Sequence, residues 1–375
     1  MIDPYEIIIL HYSEIYLKSP YVKKQFEKVL QQRIVYKLKS LGLQKTKIQW
    51  RSNSIWIYGS FSRESILYLT ETFGISYSTP ALLCQSTIPS IRESLNKLSE
   101  IIQTVNPKTY RVVAKKDKRI ALSHYSVEYE VASFFPNWKV DLKQPEFTIY
   151  LDLKTKSCSI YFEKIQGPGG LPYGTQGKVV CLVSKGIDSP VAAYLMAKRG
   201  CELILLHFGT EPILKIKERL EYYTGKPIPI LQIVYQPFLE LIKQNGAGKY
   251  QCVLCKVGMY CIAAFFAKRK KAYAIVTGEN LGQVASQTLM NLTVLDHTSP
   301  IPVLRPLIAF DKNETIKVSL QTGFNELYKN PSCPFVPDSP STSCTVSKIE
   351  SMERIVGFDQ RIEEFLQQMI VHETI

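Results

Sequence analysis

The segment Val179-Val-Cys-Leu-Val-Ser-Lys-Gly-Ile-Asp-Ser-Pro190 decides the fold of the second half of this chain. Its first five residues, Val179–Val183, are apolar and predict a buried strand, and a helix is predicted to follow over Pro190–Arg199. A buried strand that runs through a short loop into a helix is typical of a parallel sheet with helices on its faces. The loop Ser184–Ser189 would then present free backbone N–H groups to an anion.

The residue types in this loop suit a phosphate group. Ser189 is predicted as the N-cap of the helix and Pro190 fits its first turn. Gly186 permits a close approach of backbone to phosphate, Ser184 offers a hydroxyl, and the carboxylate of Asp188 could hold Mg²⁺. A Walker A loop is excluded because it ends in Lys-Ser or Lys-Thr. An ordinary capped turn between strand and helix is the alternative interpretation.

Strands and helices continue to alternate downstream of the loop. Apolar strands are predicted at Val179–Val183, Leu203–His207, Ile228–Val234 and Tyr273–Thr277. Helices are predicted between them at Pro190–Arg199, Ile213–Tyr223 and Gly248–Lys268. We therefore expect a doubly wound α/β domain in which ligands bind beyond the carboxyl ends of the strands.

The residue pattern of the first half of the chain predicts two smaller α+β units. The first is predicted to contain strands Tyr5–His11, Lys47–Trp50 and Ser54–Tyr58 with helix Tyr21–Leu41. The second is predicted to contain strands Tyr110–Arg119, Phe147–Leu153 and Ser157–Phe162 with helices Ile88–Val105 and Ser123–Phe134. The glycines and prolines of Gln166–Gly174 then mark a boundary. The predicted domains are 1–60, 61–165 and 166–375.

The amino-acid composition and net charge indicate the kind of partner and the cellular location to expect. The chain has 375 residues, 45% of them hydrophobic, and a net charge of +13, of which +10 lies in residues 1–180 and +3 in the rest. Such a basic first half favours a polyanionic partner, and a merely soluble basic protein is the alternative. Because Asp3 and Glu6 interrupt the start and no long apolar run follows, we expect a cytoplasmic protein without a membrane span. Its nine cysteines are expected to be reduced.

A basic cluster in the second unit is the candidate surface for nucleic acid. Lys115, Lys116, Lys118 and Arg119 follow the predicted strand that contains Tyr110. Lysine and arginine side chains would bind phosphates, while the tyrosine ring could stack on an unpaired base. A solvated charged loop is the alternative interpretation of these four residues.

Two cysteines stand out from those within apolar runs. Cys252 and Cys255 are three residues apart on a predicted helix, so both thiols point to one face. Core packing, a redox couple and two metal ligands are all compatible with that spacing. The polar approach and the helix start, which can lower the pKa of a thiol, favour a reactive pair.

The order of several motifs resembles the tRNA 4-uridine sulfurtransferases, also called 4-thiouridine synthetases. The loop is similar to the pyrophosphate loop Ser-Gly-Gly-x-Asp-Ser of ATP-pyrophosphatases, except that Lys185 replaces the first glycine. The other matching segments are Gly169–Lys178, Gly278–Gln287, Pro302–Leu307 and, near the amino terminus, Ser13–Lys18 with Phe26-Glu27. The resemblance covers nearly the whole chain.

The resemblance implies a fold, an activity and a set of contacts. It implies ferredoxin-like and THUMP domains followed by a pyrophosphate-loop domain, which use ATP to adenylate the 4-carbonyl oxygen of a tRNA uridine before sulfur displaces AMP. Asp188 would be catalytic, with Mg²⁺, and the basic cluster would bind tRNA. The implied ATP contacts are Leu182, Val183, Ser184, Lys185, Gly186, Ser189, His207, Phe208, Lys256, Gly278 and Gln287.

The sequence leaves several alternatives for the group that carries sulfur and for the sulfur donor. Cys344, in Pro340–Val346, resembles the sulfur-handling cysteine of the family, and the chain to Ile375 leaves no room for the rhodanese domain of longer members. Cys252, Cys255 and Cys344 could hold an iron–sulfur cluster, Cys344 could carry a persulfide, or Cys333 could complete a zinc site. The donor would be a cysteine desulfurase or free sulfide.

Other functions are also compatible with the sequence. Because Lys185 departs from the family loop, a tRNA-binding protein with little or no catalysis is one alternative. An ATP-dependent sulfur carrier for the thiazole of thiamine is another. The oligomeric state stays open, with a homodimer as one alternative.

Overall fold

A computed structural model of the chain describes residues 5–12, 14–51, 53–328, 333–357, 366 and 372–374. The chain divides into two compact units, Met1–Gly170 and Leu171–Ile375. The division falls within the Gln166–Gly174 segment rich in glycine and proline. Ser13, which begins one of the matching segments, lies outside the described residues.

The amino-terminal unit is built on one sheet of nine strands. The strands are β1 (Ile7–Tyr12), β2 (Lys47–Arg51), β3 (Ser54–Tyr58), β4 (Ile75–Cys84), β5 (Thr109–Lys116), β6 (Lys139–Val140), β7 (Phe147–Leu153), β8 (Cys158–Tyr161) and β9 (Ile165–Gln166). Their order is β2-β3-β1-β4-β8-β7-β5-β6, and β9 also pairs with β4. Antiparallel β4 therefore joins the region of the first predicted unit to that of the second.

Four helices accompany this sheet. They are α1 (Pro20–Ser40), α2 (Arg63–Thr70), α3 (Ile88–Val105) and α4 (His124–Ala132). Helix α1 buries Phe26, Leu30 and Ile34, whose spacing of four places them on one face. Its Lys37 is fully buried and donates to the carbonyl oxygens of Tyr68 and Glu71, at 2.7 and 3.1 Å. This lysine caps the end of α2.

The carboxyl-terminal unit contains a second, mainly parallel sheet. Its strands are β10 (Lys178–Leu182), β11 (Glu202–Phe208), β12 (Ile230–Ile233), β13 (Ala274–Val276), β14 (Val303–Leu304) and β15 (His372–Thr374), in the order β14-β13-β10-β11-β12-β15. All neighbours pair in parallel except β12 and β15. The predicted parallel sheet is confirmed.

Helices cover both faces of this sheet. They are α5 (Asp188–Lys198), α6 (Leu214–Thr224), α7 (Gln236–Gln244), α8 (Gln251–Lys270), α9 (Leu289–Thr298), α10 (Lys312–Thr322) and α11 (Val346–Val356). Short 3₁₀ turns occur at Glu14–Leu17, Gly248–Tyr250, Ala285–Gln287 and Asn325–Leu327. Val180 and Leu206 pack into the core around α8. Their neighbours along each strand point to the opposite face, on which α5 lies.

Helix α8 has the length and apolar composition of a membrane-spanning helix, but most of it is buried within its own unit. Among the described residues, the helical stretch Gly248–Lys270 is long and apolar enough to cross a membrane, but 61% of its apolar window is buried. It packs against β10 and β13. Burial of this kind marks the core helix of a globular unit.

Several elements of the structure have no counterpart in the sequence prediction. These are α2, β4, α7, α9, α10 and α11, together with the short strands β6, β9, β14 and β15. Strand β4 begins within Ile-Ser-Tyr-Ser-Thr-Pro, where serines, a threonine and a proline obscure the apolar pattern. Buried on both sides between β1 and β8, it forms because neighbouring strands satisfy its backbone, which local propensity does not reveal.

Candidate nucleotide-binding and RNA-binding sites

The loop between β10 and α5 is closed by two serine side chains. Ser189 Oγ accepts from the backbone N–H of Ser184 at 2.8 Å and lies 3.0 Å from Ser184 Oγ. The N–H of Gly186 donates to Ser184 Oγ at 3.2 Å. The prediction of Ser189 as N-cap is wrong because α5 starts at Asp188, which makes Ile187 the N-cap. Ser189 instead shapes the loop, while Pro190 does lie in the first turn.

The backbone of Gly278 lies close against this loop. A Cβ atom at this position would lie 2.7 Å from the backbone nitrogen of Ser189 and 2.8 Å from the carbonyl carbon of Asp188. Gly278 lies two residues beyond the Val276 end of β13, which is next to β10 in the sheet. Only a residue without a side chain allows the two strand ends to meet here.

A cavity of about 290 Å³ opens at this edge of the sheet. Most of the predicted ATP contacts line it, together with Asp188. These are Leu182, Val183, Ser184, Gly186, Ser189, Phe208, Lys256, Gly278 and Gln287. The cavity is also lined by four residues that sequence reasoning missed, Met259, Tyr260, Thr277 and Glu279. Glu279 lies within the Gly278–Gln287 segment that resembles the family, and this position is the sequence feature that could have identified it as a site residue.

Two predicted contacts, Lys185 and His207, are absent from the cavity wall. Lys185 points to a neighbouring cavity and forms an ion pair with Glu211. His207 is buried, with Nδ1 2.8 Å from the carbonyl oxygen of Val183. Burial lowers the pKa of His207, and the neutral ring donates its Nδ1 proton to that carbonyl. His207 therefore supports the strand end beneath the loop.

Asp188 is held by residues that come from two distant segments. Lys312 Nζ lies 2.9 and 3.0 Å from its two carboxylate oxygens, and Gln283 Nε2 donates at 3.2 Å. Lys312 is the first residue of α10, whose start is fixed by a capping box between Asp311 and Glu314. The carboxylate at the loop is thus oriented before any ligand binds.

Glu279 is the centre of a buried ionic network at the cavity wall. Its carboxylate accepts from Lys256 Nζ at 2.7 Å, Tyr260 OH at 2.5 Å, Thr277 Oγ1 at 3.0 Å and Arg305 Nε at 2.7 Å. Burial by itself would raise the pKa of Glu279, but Lys256 and the other donors outweigh it and lower the pKa to about 2. Glu279 is therefore ionised at neutral pH.

The cysteines of α8 do not form the reactive pair that the sequence predicted. Burial, and then the neighbouring Cys333 thiol, raises the pKa of Cys252. The same two effects raise the pKa of Cys255 to about 12, and its side chain packs against the core around α8. The prediction of a lowered pKa is wrong because desolvation of the thiols outweighs the charge of Lys256.

The predicted grouping of Cys252 and Cys255 with Cys344 is also not found. Cys344 is 4% exposed within the core around α8, and burial raises the pKa of its thiol. The exposed Cys333 is the thiol that affects both α8 cysteines. Within the part of the chain that the structure describes, no three His, Cys, Asp or Glu side chains are placed to hold a metal ion. The thiols present therefore do not fit the predicted iron–sulfur or zinc site.

The basic cluster of the amino-terminal unit lies at the end of β5. Lys115 and Lys118 are exposed, whereas Lys116 Nζ donates to the carbonyl oxygen of Ile120 at 3.0 Å. Arg119 forms an ion pair with Asp117 at 2.7 Å. Local partners thus engage Lys116 and Arg119, but the Arg119 side chain stays 75% exposed, so Lys115, Lys118 and Arg119 all face solvent.

The aromatic part of the predicted RNA surface was assigned to the wrong residue. Tyr110 is 2% exposed and packs edge-on against Phe135 and Trp138, so it cannot stack on a base. Tyr125 and Tyr129 on α4 are 76% and 66% exposed, and their rings stack with centroids 6.1 Å apart. Their spacing of four residues was the signal that sequence reasoning missed.

Helix α4 brings these tyrosines to the basic end of β5. His124, its first residue, has Nδ1 2.9 Å from the carbonyl oxygen of Ala114, next to Lys115. Exposed aromatic rings beside exposed lysines can bind unpaired bases and their phosphates.

Family models match three consecutive regions of the chain. The ThiI ferredoxin-like domain matches residues 7–78, the THUMP domain matches 86–163, and the family described as thiamine biosynthesis protein (ThiI) matches 174–358. The last region contains the cavity and the thiols.

Curated relatives match over nearly their whole length. A probable tRNA sulfurtransferase of Methanobrevibacter smithii is 36% identical over 96% of this chain and 98% of its own. One of Methanothermobacter thermautotrophicus is 33% identical over 98% of both chains. A crystal structure of a 4-thiouridine synthetase–RNA complex with bound ATP superposes with a TM-score of 0.87 and 28% identity, covering 99% of this chain and 100% of that one.

Proposed function

The chain belongs to the tRNA sulfurtransferase family, and from this premise we propose that it converts a uridine of tRNA to 4-thiouridine with ATP. The observation that carries the proposal is the cavity at the strand ends. Its loop offers backbone N–H groups and serine hydroxyls, and Gly278 keeps the loop in place. Such a wall suits a polyphosphate.

In the first step the chain's own residues position ATP and the uridine. The start of α5 and the loop N–H groups other than those of Ser184 and Gly186, which donate within the loop, stabilise the negative charge on the phosphates. The 4-carbonyl oxygen attacks the α-phosphate, and pyrophosphate leaves. Mg²⁺ would supply further charge neutralisation when bound, with the carboxylate of Asp188 as its ligand on this wall. Because Asp188 already contacts Lys312, metal binding would compete with that ion pair.

In the second step sulfur replaces the adenylated oxygen. We assign this step to persulfide chemistry, since the described thiols do not fit a cluster. A terminal persulfide sulfur attacks C4 and AMP leaves; a second thiol then attacks the sulfur still attached to the protein. This breaks the S–S bond, releases 4-thiouridine and leaves a protein disulfide, which an external thiol reduces.

Cys333 is the better placed carrier of that sulfur. It is exposed and neighbours Cys252 and Cys255, whereas the predicted carrier, Cys344, lies in the core. Lys256 interacts electrostatically with both α8 thiols and also lines the cavity, which relates the thiols to the nucleotide site. The sulfur donor would be a cysteine desulfurase, whose persulfide passes its outer sulfur to the Cys333 thiolate and leaves as a thiolate; sulfide could act only by attacking the protein disulfide left by a previous turnover, which gives a persulfide on one cysteine and a free thiol on the other. We place the reaction in the cytoplasm.

The experiment that tests the proposal measures AMP and pyrophosphate formation from ATP with and without a tRNA transcript, in the presence of a cysteine desulfurase and cysteine as the sulfur source. We expect both products only when tRNA is present. Equal turnover without tRNA would support a sulfur carrier for another pathway. ATP binding without any turnover would support a tRNA-binding protein.

A further inference from the structure

Lys256 is the cation that faces the nucleotide cavity. Among the lining residues that the structure describes, it is the one lysine or arginine side chain, beside the carboxylates of Asp188 and Glu279. Lys185, which sequence reasoning placed near the phosphates, forms its ion pair with Glu211 instead. A bound triphosphate would therefore rely on Lys256 for direct contact with a positive side chain.

The position of Lys256 is fixed from one side by Glu279. Its ammonium lies 2.7 Å from Glu279 Oε1, and the two side chains are 20% and 6% exposed. The other carboxylate oxygen, Oε2, accepts from Tyr260, Thr277 and Arg305. With three donors on one oxygen, the carboxylate has little freedom to rotate, so the lysine is held in one geometry.

The charges around Glu279 are balanced while the Lys256 ammonium still faces the cavity. Arg305 is 9% exposed, does not line the cavity, and also pairs with Asp296 at 2.7 Å. Asp296 is 54% exposed and so neutralises Arg305 from the solvent side. Glu279 can then share its charge with Lys256, whose remaining ammonium protons are free to donate to a phosphate.

We propose that Glu279 is a positioning residue that acts through Lys256, holding its ammonium against a phosphate of the bound nucleotide. Glu279 carries the same sign of charge as ATP and does not bind it. It lowers the cost of ordering the flexible lysine when ATP binds. The inference rests on the proposed ATP-dependent function.

A double-mutant cycle tests the coupling of the two residues. Lys256→Met, Glu279→Gln and the double variant are compared with the wild type by equilibrium ATP binding without tRNA, and by kcat and KM for AMP formation. We expect each single change to weaken ATP binding by about 10-fold or more. The double variant should bind within about 2-fold of Lys256→Met, because Glu279 acts through the lysine. Multiplicative losses would overturn the proposal.

Folding is controlled separately, because Glu279→Gln leaves two cations near a neutral amide. Circular dichroism and thermal unfolding are recorded for each variant. Should Glu279→Gln not fold, Glu279→Asp replaces it in the same cycle, since it keeps the charge but withdraws the carboxylate from the ammonium. Glu279→Asp should then weaken ATP binding in the wild type and leave it unchanged in the Lys256→Met background. Weakening in both backgrounds would contradict the proposal.

Asp296→Asn is the matched control. It removes a carboxylate from the same Arg305 without touching the cavity, so ATP binding should stay within about 2-fold of wild type. A loss equal to that of Glu279→Gln would indicate a general effect of the network on folding and overturn the specific role. Should the wild type bind ATP but form no AMP with tRNA, the proposed function fails while the binding cycle still decides this inference.

Discussion

Replacing Gly278 by alanine should weaken ATP binding while leaving the protein folded. The new Cβ would lie 2.7 to 2.8 Å from backbone atoms of Asp188 and Ser189, where ordinary contact begins at 3.4 Å. The loop must therefore move by about 0.7 Å to relieve the closest contact, because backbone atoms cannot rotate away as a side-chain end can. Gly278 is not among the residues with positive φ, so this steric contact is the only cause.

The expected loss of ATP affinity follows from the hydrogen bonds that the loop would make to the phosphates. Losing one hydrogen bond to a charged phosphate costs about 1.5 to 3 kcal/mol, which weakens ATP binding by roughly 10- to 100-fold. Overpacking itself should lower the free energy of unfolding by about 1 to 3 kcal/mol. Isothermal titration calorimetry with ATP and urea unfolding measure the two quantities.

Gly167→Ala is the control for a backbone clash remote from the loop. Its Cβ would lie 2.5 Å from the carbonyl oxygen of Ile75 and 2.8 Å from that of Thr70, both within the amino-terminal unit. It should destabilise that unit to a similar extent without changing the affinity for ATP. Wild-type affinity in Gly278→Ala, or an equal loss in the control, would refute our account of the loop.

Three further predictions concern the carboxylate, the aromatic pair and the thiols. Asp188→Asn should keep the fold but lower tRNA-dependent AMP formation by about 100-fold, since the loop loses its anionic anchor; undiminished turnover would contradict this. Tyr125→Ala with Tyr129→Ala should weaken tRNA binding by about 1 to 3 kcal/mol per stacked base at fixed salt, and unchanged affinity would move the RNA surface elsewhere. Cys333→Ser should stop thiolation but spare tRNA-dependent pyrophosphate release, because adenylation precedes sulfur attack, whereas Cys344→Ser should spare both; the reverse pattern, read by nucleoside mass spectrometry and a pyrophosphate assay, would restore the original assignment.

The parallel sheet and its loop could be predicted because local pattern and final structure agree there. Val179–Val183 is apolar, and the loop glycine and serines follow it directly, so strand, turn and helix are all visible within one short segment. The structure extends β10 from Lys178 to Leu182, a shift of one residue. Helix Ile88–Val105 and strand Phe147–Leu153 were predicted with their observed bounds for the same reason.

The parts that escaped prediction depend on contacts between distant residues. Lys312 reaches Asp188 across 124 positions, and Glu279 accepts hydrogen bonds from α8, from Thr277 just after β13 and from Arg305. A thiol at a helix start was expected to be acidic, but burial in the core around α8 reverses the direction of its pKa shift. Spacing along one helix shows which residues share a face, but not how deeply that face is buried.

Transfer of a heavy-oxygen label tests most directly that the uridine oxygen is activated by adenylation. A tRNA with the isotope at the 4-carbonyl oxygen of the target uridine is incubated with ATP, a cysteine desulfurase and cysteine, and the released AMP is analysed by mass spectrometry. We predict that AMP carries the label in proportion to the 4-thiouridine formed, because that oxygen becomes bonded to the α-phosphate before sulfur displaces it. Thiolation accompanied by unlabelled AMP would contradict adenylation at this oxygen.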